Sequence, residues 1–320
     1  MAPTRKTGSA SRKALLVAST GGHLAQLVRL APTLDVSDDS LWLTFRTPQS
    51  ESLLQGRRVS YIPYIRPRDW RGVLKASRTI AQLLRRESFD AAVSTGAAPA
   101  VAALPLARLQ GIDTTYIESV SRVDGPSLTG RILAATRSAR LYTQHPSWAG
   151  ARWQAHPSVF HTVTPVSRPR VERPSLFVTL GTIEGYAFDA LIDAIRSTGL
   201  ADERTVWQLG CTTPGGALPG RHFSQVSASD FDRYATEADV VISHAGVGSL
   251  LRLLDLGVSP ILAIRRKSRD EHVDDHQAQI AQLASDHGIA TAVEVDELTD
   301  QTILRATGRA IASSPTPPIG

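Results

Sequence analysis

What most constrains the fold of this chain is a rhythm. Short apolar, β-rich runs recur over residues 13–144: "KALLVAS", "LWLTF", "VSYIPY", "DAAVST", "TTYIES" and "RLYTQ". Helix-length segments lie between several of them. Such alternation predicts a parallel sheet with helices on both faces. The rhythm breaks at residues 163–175, "VTPVSRPRVERPS", where Pro165, Pro169 and Pro174 stand among Arg168, Arg170 and Arg173. Proline pushes the residue before it out of the helical region, so this stretch reads as an extended linker. Beyond it the rhythm restarts with "SLFVTLG", "TVWQLG", "DVVISHAG" and "SPILAI", and a last helix is expected near residues 299–312. The expectation is two doubly wound α/β domains. A basic tail covers 1–13, the first domain 14–165, the linker 166–174, the second domain 175–312 and a tail 313–320.

Length and composition agree with this division. The chain has 320 residues, 42% of them hydrophobic and 20% charged, which suits two packed globular domains. A single cysteine, Cys211, rules out an intrachain disulfide and fits a reducing compartment. No apolar run is long enough to predict a membrane-spanning helix, and the opening "MAPTRKTGSASRK" lacks the apolar core of a secretory signal. The net charge of +5 favours anionic partners: a nucleotide, a phospholipid surface or nucleic acid. Nucleic acid is not expected, because zinc spacings, aromatic-rich basic strands and helix-turn-helix signatures are missing.

Four stretches carry chemistry. In "STGGHLAQL", residues 19–27, a strand runs through Gly21 and Gly22 into a helix that begins with His23. Glycines there permit close backbone approach, and the helix start offers free N–H groups. His23 is either a proton acceptor or a cap of the turn. In "HAGVGSLLRLLDLGVSP", residues 244–260, a strand ends at His244, and Gly246, Gly248 and Ser249 open a helix that Gly257 ends. Backbone N–H groups, a hydroxyl and a helix dipole suit a diphosphate, although such loops also form for packing alone. Neither a Walker loop nor a dinucleotide fingerprint is present, which weakens a nicotinamide reading. In "VTLGT", residues 178–182, Gly181 and Thr182 form a second strand-end turn that approaches a phosphate or sugar, or is an ordinary turn. In "RRKSRDEHVDDHQAQIAQL", residues 265–283, His276 and Gln277 at a helix start are candidates to grip sugar hydroxyls. The alternatives are a solvated, capped loop or a metal set of Glu271, His272, Asp274, Asp275 and His276. The metal set lacks the i, i+4 histidine spacing of helical ligands.

Residues 68–86, "RDWRGVLKASRTIAQLLRR", read as an amphipathic helix. Trp70, Val73, Leu74, Ile80, Leu83 and Leu84 fall near one face, with Arg71, Lys75, Arg78, Arg85 and Arg86 around it. Such a helix suits an anionic membrane interface or packs on the sheet as an ordinary surface helix.

Together these motifs resemble known glycosyltransferases. "ASTGGHLAQL", "VSTGAAPA" and "YIESVSRVDGPSLTGRIL" resemble the acceptor-side subunit of the two-subunit UDP-GlcNAc transferase of asparagine-linked glycosylation. "LFVTLGT", "DVVISHAGVGSLL", "LGVSPIL" and "EHVDDHQAQIA" resemble its donor-side subunit and the C-terminal domain of glycosyltransferase family 28. Bacterial capsule and exopolysaccharide transferases use the same split pair, here joined in one chain over about residues 14–300. The resemblance implies a GT-B fold of two facing Rossmann-like domains. It implies a UDP-sugar donor, UDP-GlcNAc or a related one, bound by the C-terminal domain through Gly181, Thr182, His244, Gly246, Gly248, Ser249, His276 and Gln277. A polyprenyl-linked or glycan acceptor lies against the N-terminal domain near Gly21, Gly22, Ser119 and Arg122. Transfer inverts the anomeric carbon, with no cofactor and no obligatory metal. His23 is the first candidate base and Glu118 the competing one, which equally pairs with Arg122 to hold its loop. One departure stands out: the acidic residue that meets the ribose in donor subunits is Arg252 here, with Asp255 out of register. The alternatives are a non-catalytic nucleotide-sugar-binding scaffold and a UDP-sugar epimerase. The expected location is the cytoplasm, with contact to the inner face of the plasma membrane through Trp70, Arg71, Lys75 and Arg78, or through a membrane-protein partner.

Overall fold

The computed structural model describes residues 11–66, 68–181, 186–266, 269 and 276–313. The chain divides into two compact units. The first comprises the described residues up to Ser119 together with Asp124–His156, and the second Val120–Val123 and the residues from Pro157 onward.

In the first unit the predicted strands form. They are β1 (Ala14–Ala18), β2 (Leu41–Phe45), β3 (Arg58–Ile62), β4 (Ala91–Gly96), β5 (Asp113–Ile117) and β6 (Arg140–Thr143). A short β7 (Gln154–Ala155) joins them in a seven-stranded parallel sheet of order β3-β2-β1-β4-β5-β6-β7. The helices are α1 (Gly22–Leu30), α2 (Pro48–Leu53), α3 (Trp70–Arg86), α4 (Ala98–Leu109) and α5 (Leu128–Thr136). β1, β2 and β4 are buried along their whole length, as strands covered on both faces must be. The strand order reverses between β1 and β4, the place where open α/β sheets leave a crevice at their carboxyl ends.

The second unit repeats the plan. Its parallel sheet has six strands in the order β11-β10-β9-β12-β13-β14. These are β9 (Leu176–Thr179), β10 (Val206–Gln208), β11 (Arg221–Phe223), β12 (Val240–His244), β13 (Ile261–Ala263) and β14 (Thr291–Val293). The helices are α6 (Asp189–Ser197), α7 (Ala228–Glu237), α8 (Val247–Asp255), α9 (His276–Asp286) and α10 (Asp300–Ala306). Here the order reverses between β9 and β12.

Three expectations change. The stretch read as a linker begins inside a strand: β8 (Val163–Ser167) pairs antiparallel with β15 (Arg309–Ser313). The chain therefore changes units after His156, before the proline-rich segment. The last helix ends at Ala306, and β15 takes residues expected to be helical, because Ile311 is buried and donates its N–H to the Gly257 carbonyl. Finally, the apolar residues of α3 do not share one face. Ala76, Ile80 and Leu84 are buried, with Val73 and Leu83 packed against the same core, whereas Trp70 is 67% and Leu74 51% exposed.

Candidate active site

The first cluster lies at the β1/β4 reversal. β1 ends at Ala18, and the chain turns through Gly21, whose φ of 81° precedes α1. The Gly21 N–H donates to Gln49 Oε1 at 2.8 Å, which fixes the turn. His23 then occupies the first turn of α1. Its Nδ1 lies 2.6 Å from the Thr95 carbonyl at the end of β4, and Thr95 Oγ1 donates back to the His23 carbonyl at 2.7 Å. A carbonyl only accepts, so Nδ1 carries the proton and Nε2 becomes the accepting nitrogen. Gly96 permits this contact: a Cβ there would stand 2.9 Å from both Cε1 and Nδ1 of His23. The sequence pointed to His23, Gly21 and Gly22. It did not single out Thr95 or Gly96, whose only signal is a glycine closing a strand in "VSTGAAPA".

Glu118 differs from its expected role as a competing base. It is fully buried. Oε1 accepts from Tyr116 Oη at 2.9 Å and the Ser119 N–H at 3.1 Å. Oε2 accepts from the Ser127 N–H at 2.8 Å and Ser127 Oγ at 2.9 Å. These four donors fill the acceptor capacity of a carboxylate, so Glu118 ties the end of β5 to the cap of α5. Beside it Gln26, buried on α1, donates to Ser119 Oγ at 3.0 Å and accepts from Gln144 Nε2 at 3.0 Å. Ser119 thereby belongs to a buried polar layer joining α1, β5 and β6. Arg122 falls in the Val120–Val123 stretch counted with the second unit.

The second cluster lies at the β9/β12 reversal. His244 ends β12, with Nδ1 3.4 Å from the Thr179 carbonyl of β9. Gly246 caps α8 with no side-chain hydrogen bond and no acidic residue in the first turn. Residues 246–249, including Gly248 and Ser249, are all partly exposed. The positive end of α8 thus lies at partly exposed residues; the Gly246 N–H donates to the His244 carbonyl at 2.8 Å, and the N–H groups that follow it in the first turn have no acceptor within the helix. A Cβ on Gly246 would stand 2.5 Å from His244 Nε2, so no side chain fits there without moving the imidazole. Gly181 is buried at the turn after β9, and Thr182 lies outside the described residues. On α9, Gln277 is buried, and its Oε1 has no hydrogen-bond partner among the described residues. His276 begins α9, but the placement of its side chain is not described. At the position of the ribose-meeting acid, Arg252 donates to Asp232 through Nε at 2.8 Å and through Nη2. No group of three or more metal-ligating side chains occurs among the described residues, and Glu271, His272, Asp274 and Asp275 fall outside them.

Comparison with known proteins defines the class. Residues 219–316 match the glycosyltransferase family 28 C-terminal domain. Two similar proteins, from Synechococcus sp. (strain CC9902) and Parasynechococcus marenigrum (strain WH8102), are UDP-N-acetylglucosamine–N-acetylmuramyl-(pentapeptide) pyrophosphoryl-undecaprenol N-acetylglucosamine transferases. The first is 27% identical over 85% of this chain and 81% of the relative; the second is 26% identical over 93% and 87%. Among solved structures, Acinetobacter baumannii MurG superposes with a TM-score of 0.55 at 20% identity, covering 92% of this chain and 89% of that one. The calicheamicin glycosyltransferase CalG4 gives 0.55 at 16%, covering 93% and 89%. The fold is GT-B.

Proposed function

We propose that this chain is an inverting, UDP-sugar-dependent glycosyltransferase. It moves a sugar from UDP-GlcNAc or a related donor to a polyprenyl-linked or glycan acceptor in cell-envelope polysaccharide or glycolipid synthesis. The family 28 domain and the activities of the relatives support the donor and the lipid-linked acceptor. The single observation that carries the chemistry is the Nδ1 hydrogen bond of His23, which makes Nε2 the accepting nitrogen. In the reaction the acceptor hydroxyl oxygen attacks the anomeric carbon and His23 Nε2 takes its proton. The bond from that carbon to the diphosphate oxygen breaks, and UDP leaves. The N-terminus of α8, with Gly246, Gly248 and Ser249, receives the charge of the leaving diphosphate. His244 adds a hydrogen bond to a phosphate, and the buried Oε1 of Gln277 accepts from a sugar hydroxyl. No divalent ion is required, because the helix terminus supplies the electrostatic stabilisation.

The same reading places the protein on the cytoplasmic side. The basic residues of α3 and the exposed Trp70 touch the membrane surface that holds the acceptor.

The test is transfer by the purified chain, in EDTA, from UDP-GlcNAc to a polyprenyl-diphosphate-linked sugar. The parent should release UDP and form a product of inverted anomeric configuration. His23→Ala should keep UDP affinity and lose about 10²-fold or more in turnover, the range for a lost general base. Tight UDP binding without turnover would make the chain a scaffold, and an epimerised donor would make it an epimerase. Activity that is lost in chelator and restored by magnesium would overturn the metal-independent mechanism.

A further inference from the structure

Gln26 is fully buried on α1, one helical turn from Gly22 and three residues beyond His23, and the mechanism above does not use it. Residues at these spacings are neighbours on a helix surface. The Gln26 amide bonds in three directions. Nε2 donates to the Gly22 carbonyl at 3.1 Å and to Ser119 Oγ at 3.0 Å. Oε1 accepts from Gln144 Nε2 at 3.0 Å, and Gln144 Nε2 also donates to the Glu118 carbonyl at 2.9 Å. Glu118 and Ser119 lie just past β5, and Gln144 just past β6. The Glu118 N–H donates to the Tyr142 carbonyl of β6 at 2.8 Å, so the anchoring groups are themselves held together. His23, for its part, is fastened to the end of β4 through Thr95. The first turn of α1 is therefore tied to β4 by His23 and to the ends of β5 and β6 by Gln26.

A buried amide is costly unless its polar atoms are paired, and an apolar side chain would fill the same space without that demand. What the amide adds is direction. A tie to one strand alone leaves a short helix free to turn about that tie, whereas a second tie to neighbouring strands fixes its rotation. The Gly22 carbonyl belongs to the peptide that joins Gly22 to His23, so the amide grips the backbone where the imidazole departs from it. We propose that Gln26 is a positioning residue for His23. It fixes the rotation of the first turn of α1, and with it the direction in which Nε2 meets the acceptor hydroxyl, while staying out of contact with the substrate. Displacing a reacting group by about 1 Å costs on the order of 10²-fold in rate, so a small rotation of this turn is enough to matter. The inference rests on the reading of His23 as the base.

The experiment is a double-mutant cycle on the full chain, with transfer from UDP-GlcNAc to the polyprenyl-diphosphate-linked sugar as the readout. It takes the parent, Gln26→Met, His23→Ala and the double variant, with UDP titration beside the kinetics and circular dichroism as a check on folding. Methionine fills the space of glutamine without its hydrogen bonds. Gln26→Met should lower kcat about tenfold or more and keep UDP affinity, because the donor is bound by the other unit. In the His23→Ala background the same substitution should cost nothing further, within about twofold, since a residue that acts through His23 has nothing left to position. If the methionine variant does not fold, Gln26→Glu carries the cycle: its carboxylate still accepts from Ser119 Oγ and Gln144 Nε2 but donates nothing to the Gly22 carbonyl. Losses that multiply in the double variant, a fall in UDP affinity, or parental kcat in a folded Gln26 variant overturns the inference while the base reading stands. Parental turnover in His23→Ala removes the base reading and this inference with it.

Discussion

At the scale of single residues, the proposed site depends on an imidazole whose orientation is imposed by a neighbouring strand. Thr95 holds the ring through its carbonyl, and Gly96 leaves the ring its space. Gly96 adopts φ 111°, a conformation that other residues rarely take, so its replacement is strained as well as crowded. Gly96→Ala should therefore move His23 and lower turnover by about 10²-fold, close to the loss in His23→Ala, with UDP affinity kept. Steady-state kinetics beside UDP titration would check this, and a variant at parental turnover would show that the imidazole tolerates displacement. His23 was legible because a strand, two glycines and a histidine follow one another in the chain. Thr95 was not, because its contact joins residues 72 positions apart, and local pattern carries no trace of it. Glu118 was visible as an acid in "YIES", but its role was not. Only the fold shows that Tyr116, Ser119 and Ser127 all point their donors at it.

At the scale of elements, α8 is the part whose sequence and structure agree most closely. It begins without an acid or a side-chain cap, and its buried face is leucine-rich: Leu250, Leu251, Leu253 and Leu254. The helix is thus anchored by its apolar side while its N-terminus stays open. Gly246→Val would place a branched side chain against His244 and over the backbone N–H groups. UDP and donor affinity should both fall by at least about tenfold, about 1.4 kcal/mol, in a protein that still folds. Unchanged UDP affinity in isothermal titration would move the phosphate site elsewhere. The long buried strands were readable because a parallel sheet needs continuous apolar runs. The short β7, β11, β14 and β15 were not: two to five residues, several of them exposed, set up no period. α3 shows the opposite error. Its apolar residues looked like one face, but the core takes Ala76, Ile80 and Leu84 and leaves Trp70 and Leu74 outside.

At the scale of the whole molecule, that exposed pair carries a prediction. Tyr64, Trp70 and Leu74 are exposed within eleven positions of one another, and the Arg71 guanidinium lies 5.3 Å from the Trp70 ring centroid. No helix among the described residues is long and apolar enough to cross a membrane. Each basic residue near an anionic bilayer contributes about 1 kcal/mol, and salt screens it. The chain should float with anionic vesicles at low salt and be released at high salt. Arg71→Glu with Lys75→Glu and Arg78→Glu should abolish flotation and leave UDP titration unchanged. Parental protein that stays unbound at low salt would point to a membrane-protein partner instead. The two-unit plan was legible from the restart of the strand–helix rhythm, but its border was not. Prolines marked the visible break, whereas backbone pairing between β8 and β15 decides where the second unit starts. That pairing joins the first strand of the second unit to its last described strand, so the unit's two ends meet side by side. Grafted whole, the unit should carry its own clasp. An exchange of donor specificity between relatives should cut the chain between His156 and Val163, because a graft beginning at the proline-rich stretch would arrive unclasped.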